Sequence, residues 1–382
     1  MGKTILILGG GVGGLVTANK LRHMLSKKHR IVLLDRNTKH TFPSNLWVMV
    51  GWREPLQIQK ELSLLNKKGI EYIHAEVSNI NLSTKVIKTN SGDFTYDYLV
   101  IALGAELAPE MMTGFSETAY NLYDLDGAIR LRHVLSKFSG GTIIIAVSAL
   151  PFKCPAAPYE AGLLLDYLFR KKGIREKIEL KIFTPEAAPM GVAGPVLSNM
   201  VRQMVEGHGI IYNPNFKLSS INSKDSELNF ENGQKVKFDL LIGVPPHRSP
   251  AVVKEAGLTN ESGWIPVDKG TLKTGYDDVY ALGDVATIKL PVGKMLPKAG
   301  VFAHYQAEVV AHNIANEIKR ERAEKEFNGK GYCFLEIGEG KAGFASGNFY
   351  TSPAPEVKMR KPSRFWHWGK VIFEKWWLWH WF

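Results

Sequence analysis

The chain has 382 residues, of which 45% are hydrophobic and 22% charged, with a formal net charge of +11 and two cysteines. That length and apolar content exclude disorder and a small stapled scaffold, and fit two or three domains with cores of their own. Two cysteines exclude a disulfide framework and a CxxC-type zinc site, so no metal is expected. No apolar run reaches the ~18 residues of a spanning helix. The opening segment lacks the basic leader and cleavage site of a signal peptide.

Residues 4–8 (TILIL) predict a buried strand, followed by Gly9-Gly10-Gly11-Val12-Gly13-Gly14 and a helix to about Lys27. Ile31–Leu34 predicts a second strand ending at Asp35. In Gly9-x-Gly11-x-x-Gly14 the glycines permit a tight turn and close approach of backbone N–H groups to a pyrophosphate. Asp35 can then bind the ribose hydroxyls. A glycine fingerprint alone is weak; with both strands, the helix and the acid in register it predicts a dinucleotide site.

Further strands are expected at Asp97–Ala102, Thr142–Val147, Glu179–Thr184, Asp239–Val244 and Val279–Leu282, with a helix around Tyr159–Lys171. Two strand–helix–strand starts in one chain predict an α/β protein of tandem Rossmann-like domains. The expected organisation is a domain in two segments (1–105 and 261–320) that binds the dinucleotide, a second Rossmann-like domain (106–260) and a C-terminal region (321–382).

Where the second unit should carry its own glycine turn, the sequence reads Ser148-Ala149-Leu150-Pro151-Phe152-Lys153-Cys154-Pro155. Two prolines remove donors and side chains block a phosphate. One dinucleotide is therefore expected, and nicotinamide-dependent reduction is disfavoured. Gly283-Asp284, closing the strand Val279–Leu282, puts a carboxylate where a ribityl chain would need it, which points to a flavin.

Fingerprint and Tyr280-Ala281-Leu282-Gly283-Asp284 together resemble the two-dinucleotide-domain flavoproteins. Three further segments resemble sulfide:quinone oxidoreductases: His40 through Trp52, Cys154-Pro155-Ala156-Ala157-Pro158-Tyr159-Glu160, and Pro297-Lys298-Ala299-Gly300. The resemblance runs essentially end to end. It extends the cofactor set from Gly9, Gly11, Gly13, Gly14, Asp35, Gly283 and Asp284 to Ser44, Asn45, Ala102, Gly104, Lys298 and Gly300. Lys298 would stabilise an anionic reduced flavin.

The resemblance also makes Cys154 and Cys333 the redox pair, with Glu160 as proton acceptor. The plainer readings are two buried structural cysteines and an ordinary acid at a helix start. Cys154 stands at a helix entrance, where a thiolate is stabilised. On this reading hydrosulfide opens the Cys154–Cys333 bridge, FAD takes the electrons, and a membrane quinone receives them.

Two departures stand out. The family often has a third cysteine in the stretch matching Asn121–Asp126 and a histidine just beyond; here there is no cysteine, and Gly127 takes the histidine's place. Related flavocytochrome sulfide dehydrogenases attach their flavin through a cysteine near Phe42–Asn45; none is present, so FAD is expected to be non-covalent.

From Lys358 to Phe382 the chain carries six Lys/Arg, one Glu and six tryptophans. Read as a helix, Ser363, Arg364, His367, Lys370, Glu374 and Lys375 share one arc, with aromatic residues mostly outside it. A basic, tryptophan-rich helix describes a peripheral membrane binder better than a nucleic-acid reader. On that reading truncation after Met359 would leave the flavin site intact. Phe334 and Phe344 are candidate quinone walls. The lack of a signal peptide favours the cytoplasmic face, and a homo-oligomer is compatible with the sequence. The alternatives are a type II NADH dehydrogenase and a non-catalytic flavin-binding membrane redox sensor.

Overall fold

The computed structural model describes residues 2–382. One five-stranded parallel sheet has the order Val279–Ala281, Tyr98–Ile101, Thr4–Leu8, Arg30–Asp35, Glu71–His74. Ile5, Leu6, Ile7 and Leu8 are all fully buried, as expected of a central parallel strand covered on both faces. The helix Val12–Met24 lies against the long helix Gly300–Lys319 on one side of this sheet. It ends three residues short of the expected Lys27, because Leu25 turns to extended geometry (φ −110°, ψ 147°).

A second five-stranded parallel sheet repeats the plan in the order Tyr120–Asn121, Leu240–Val244, Gly141–Val147, Ile178–Phe183, Ile211–Asn213. In both sheets the opening strand of the strand–helix–strand unit is central, so its carboxyl end meets a connection on either side. That edge is where such folds bind ligands. The helix Ala157–Lys171 follows the proline-containing turn of the second sheet and is almost wholly buried over its first ten residues.

The C-terminal part is an antiparallel sheet (Lys330–Gly338, Lys341–Asn348, Glu356–Ser363) followed by the helix Arg364–His380. This region does not stand apart from the rest of the chain. Leu335, Ala345, Trp377, Leu378 and Trp381 belong to the same apolar core as Ile5 and Leu15.

The expected orientation of the last helix is corrected too: much of its polar arc faces the protein. Lys370 Nζ donates to Glu160 Oε1 at 2.6 Å, and fully buried Glu374 accepts from Arg53 Nε at 2.7 Å and from Ser44 Oγ at 3.1 Å. His367 faces buried Glu336 at 3.0 Å. Phe365, Trp368, Ile372 and Trp379 point outward, 72%, 60%, 64% and 76% exposed. Periodicity reveals two faces but not which one turns inward, because the acids and the arginine that pair with the polar arc come from distant segments.

Candidate active site

The glycine turn is built for two different jobs. A Cβ on Gly9 (φ +101°) would lie 2.4 Å from the Ala102 carbonyl oxygen, and one on Gly14 would lie 1.8 Å from that of Gly9. A Cβ on Gly13 would strike Leu282 Cδ1 at 2.2 Å. These three allow strand and helix to pack. Gly11, at the start of the helix, would meet nothing within 4 Å, and neither would Gly104 (φ +72°). The first-turn N–H groups therefore have open space before them, the arrangement by which a helix N-terminus can receive an anion. Asp35 stands beside it, accepting from Gly10 N–H at 2.5 Å and Asn37 N–H at 2.6 Å.

Asp284 completes the dinucleotide fit. Its Oδ1 is buried with no hydrogen-bond partner, and burial pushes the carboxyl pKa up. A buried acceptor left alone is costly, and a ligand hydroxyl is a group that would satisfy it. Gln306, which sequence reasoning missed, accepts from Gly283 N–H at 2.8 Å and fixes this turn. Of Ser44 and Asn45, both expected beside the cofactor, Ser44 donates its hydroxyl to Glu374 at 3.1 Å. Asn45 donates to the Tyr123 carbonyl at 3.0 Å and keeps Oδ1 buried and free. Gly300 opens the long helix, its Cβ position 3.5 Å from Val12.

Lys298 joins this turn to the cysteines. Its Nζ donates to the carbonyls of Asp284 (2.7 Å) and Ala286 (3.2 Å), and lies 3.4 Å from the Trp264 ring centroid. Its own carbonyl accepts from Cys154 N–H at 2.7 Å. Burial lowers the lysine's pKa to about 8, with Asp284 opposing.

Cys154 and Cys333, 179 positions apart in sequence, line the same cavity of about 870 Å³, walled largely by apolar groups such as Phe152, Met190, Trp264 and Phe302. Both are unbonded thiols in this structure. Cys154 stands at the helix entrance as expected and is exposed, Cys333 half-buried. Desolvation by the cavity wall, then the neighbouring Cys333 and Glu160, push the Cys154 thiol far above its ordinary range, and Lys370 opposes them only partly. Desolvation pushes Cys333 up to about 11. Glu160 is buried and held by Lys370 from the C-terminal helix. That partner could not be read from the sequence around either residue.

On the strand Lys330–Gly338 side chains alternate, so Cys333 and Phe334 point to opposite faces. Phe334 and Phe344 pack together (centroids 5.1 Å apart), and Phe344 stacks on Trp366 at 4.3 Å. Tyr332 and Phe373 complete this cluster beneath the last helix. Tyr332 was not singled out from sequence; the strand's period of two puts it on the face of Phe334, and the last helix brings Trp366 and Phe373 to it.

A glycine turn, an aspartate-bearing second turn and a cysteine-lined cavity on tandem Rossmann-like sheets define a class. The chain belongs to the pyridine nucleotide-disulphide oxidoreductase family, whose model matches residues 3–307. A mitochondrial sulfide:quinone oxidoreductase of Dictyostelium discoideum is 30% identical over 82% of this chain and 70% of its own length. Within the larger family the chain therefore belongs with the sulfide:quinone oxidoreductases. The crystal structure of the Aquifex aeolicus sulfide:quinone oxidoreductase superposes with a TM-score of 0.90 at 27% identity, covering 99% of this chain and 91% of that one. A type II NADH:quinone oxidoreductase of Staphylococcus haemolyticus is 24% identical over 82% of this chain and 84% of its own length.

Proposed function

We propose that this protein is a flavoenzyme that oxidises sulfide at Cys154 and Cys333 and reduces a membrane quinone. The observation that carries this reading is the shared cavity of the two cysteines, joined through Lys298 to the Asp284 turn. The expected cofactor is one non-covalent FAD, its pyrophosphate at Gly9–Gly14, its adenosine ribose at Asp35 and its ribityl chain at Asp284. When bound, it accepts two electrons from the sulfur centre and passes them to the quinone.

Hydrosulfide attacks Cys154 Sγ of the oxidised pair; the S–S bond breaks, leaving a persulfide on Cys154 and a thiolate on Cys333. Lys370, facing both Glu160 and Cys333, is the cation placed to oppose that new charge. Joining the persulfide sulfur to Cys333 releases two electrons and one proton. Glu160 is assigned to receive the proton. Further rounds lengthen the sulfur chain, which leaves as polysulfide or zero-valent sulfur.

The quinone is expected on the other face of the Cys333 strand, near Phe334 and Phe344. The outward aromatic stripe of the last helix supports attachment at a membrane surface, and no helix among the described residues is long and apolar enough to cross a membrane. The net charge of +11 favours anionic substrate and lipid. NADH as donor is disfavoured by Pro151, Cys154 and Pro155 in the second turn.

Anaerobic titration of the purified protein with sulfide should bleach the flavin, and equimolar NADH should not. Cys154→Ala and Cys333→Ser should each lower the bleaching rate at least a thousandfold while the protein stays yellow. Near-normal sulfide:quinone activity in either variant would return both cysteines to structural roles.

A further inference from the structure

Tyr123 lies just after the strand Tyr120–Asn121, at the carboxyl edge of the second sheet. Its backbone carbonyl accepts from Asn45 Nδ2 at 3.0 Å, and its hydroxyl donates to the carbonyl of Cys154 at 3.3 Å. One residue thus spans from the segment beside the glycine turn to the loop that carries the reactive cysteine.

Behind it stands His247, edge to face with the phenol ring, centroids 5.3 Å apart at 84°. His247 Nδ1 faces the Pro245 carbonyl at 2.8 Å, an acceptor, so this nitrogen carries the proton and Nε2 is a buried lone pair without a partner. Burial, with Lys153 and Lys298 nearby, lowers its pKa to about 4. The ring is neutral at physiological pH and gives Tyr123 an uncharged, buried backing.

Cys154 is a residue that needs holding. Its φ is +50°, in the left-handed region that a side chain with a Cβ rarely adopts. Such a backbone persists only where its surroundings over-determine it. Cys154 N–H donates to Lys298 O at 2.7 Å, and its carbonyl accepts from Ala157 N–H at 2.9 Å. The Tyr123 hydroxyl is a third bond on the same residue, reaching it from a segment 31 positions away.

We propose that Tyr123 is a positioning residue of the cysteine centre: by holding the Cys154 carbonyl it fixes the left-handed turn that turns Sγ into the cavity lined by Cys333, and so favours the Cys154–Cys333 bond over two thiols. The proposal rests on the reading of these cysteines as a redox pair. The equilibrium it shifts is two thiols giving one S–S bond, two electrons and two protons, the electrons passing to the oxidised partner of a dithiol buffer. A net hydrogen bond changes such an equilibrium constant by roughly two- to tenfold.

The test uses the full-length, flavin-loaded protein equilibrated in oxidised and reduced dithiothreitol, with free thiols counted by maleimide mass shift. Tyr123→Phe should lower the bond-forming constant about three- to tenfold, up to about 30 mV in midpoint potential, and slow sulfide bleaching by a similar factor. A variant with a lowered melting temperature but a constant within twofold of the parent overturns the proposal, because a merely structural tyrosine would behave so. Should Tyr123→Phe not retain its flavin, Tyr123→Gln keeps a donor at similar reach. A constant within twofold of the parent in that protein supports the proposal, and a tenfold loss overturns it. Cys154→Ala is run in parallel. If it still oxidises sulfide, the redox-pair reading fails and takes this proposal with it; if it is inactive while Tyr123→Phe is unchanged, only the proposal fails.

Discussion

Lys298 is 8% exposed, yet it carries its charge between two carbonyl oxygens and over an indole ring. Its pKa of about 8, below the free value of 10.5, reports that burial outweighs the help from Asp284. The same number makes two opposite statements about pH. The unfolded chain holds more protons between about 8 and 10.5, so this group's contribution to stability is smallest below pH 8 and rises across that window. A cation that stabilises an anionic reduced flavin is present below pH 8 and lost above it. Sulfide-driven flavin reduction in the parent, divided by that in Lys298→Arg, should therefore fall as pH rises through about 8, since a guanidinium stays charged. Lys298→Met should be slower by roughly a hundredfold at pH 7. Stopped-flow traces across the range measure both, and a ratio flat to pH 10 would show that the lysine's charge is not used. Desolvation acts on the cysteines in the same sense, raising the thiol of half-buried Cys333 and of Cys154 at the cavity wall.

At the scale of elements, the glycine turn separates packing from binding within six residues. A methyl group on Gly14 would need to occupy space 1.8 Å from a backbone oxygen, and neither partner can move without unseating the strand or the helix. Gly14→Ala is expected to cost more than 4 kcal/mol of stability, or to prevent folding. Gly11→Ala, at φ −68° and facing open space, should leave the apoprotein's melting temperature unchanged and weaken flavin binding at least tenfold, because its methyl group intrudes where a phosphate approaches. Thermal melts and flavin titration by fluorescence quenching separate the two outcomes. This contrast also explains what the sequence made legible. The turn, its helix and Asp35 interact over fewer than thirty positions, so spacing alone predicts them, and the apolar strand at Thr4–Leu8 announces its own burial. Lys370 beside Glu160 and Tyr123 beside Cys154 are set by how two sheets and a terminal helix come together. No local pattern encodes either pair. The inward turn of the last helix was misjudged for the same reason: Arg53, Glu336 and Glu160 had to be in place before its charges had partners.

For the whole molecule, the C-terminal helix is both wall and outer surface, and the two roles make different predictions. Its inner face pairs Lys370 with Glu160 and Glu374 with Arg53, and Trp377 donates from its indole N–H to His40 Nε2 at 3.1 Å. His40 in turn contacts the Gly10 carbonyl at 2.9 Å, so the helix is tied to the glycine turn itself. Leaving one buried charge unpaired costs about 3–5 kcal/mol, against a total stability of about 5–15 kcal/mol for a typical domain. Truncation after Met359 strands both Glu160 and Arg53 and uncovers Phe42 and His40. It should therefore give an insoluble or colourless product, the reverse of what the tail's composition suggests. The outer face can be changed without touching those pairs. Trp368 and Trp379 are 60% and 76% exposed, and removing an indole from an apolar environment loses on the order of 1–2 kcal/mol each. The double variant Trp368→Ser/Trp379→Ser should stay yellow, melt within a few degrees of the parent and bleach normally with sulfide. Its partition onto liposomes of mixed neutral and anionic lipid should fall by roughly tenfold or more. Turnover with a long-chain quinone should fall with it, while a short soluble quinone is reduced at the parental rate. Co-sedimentation and paired quinone assays read these effects separately. Unchanged liposome binding in the double variant would mean that the exposed stripe is not the membrane contact.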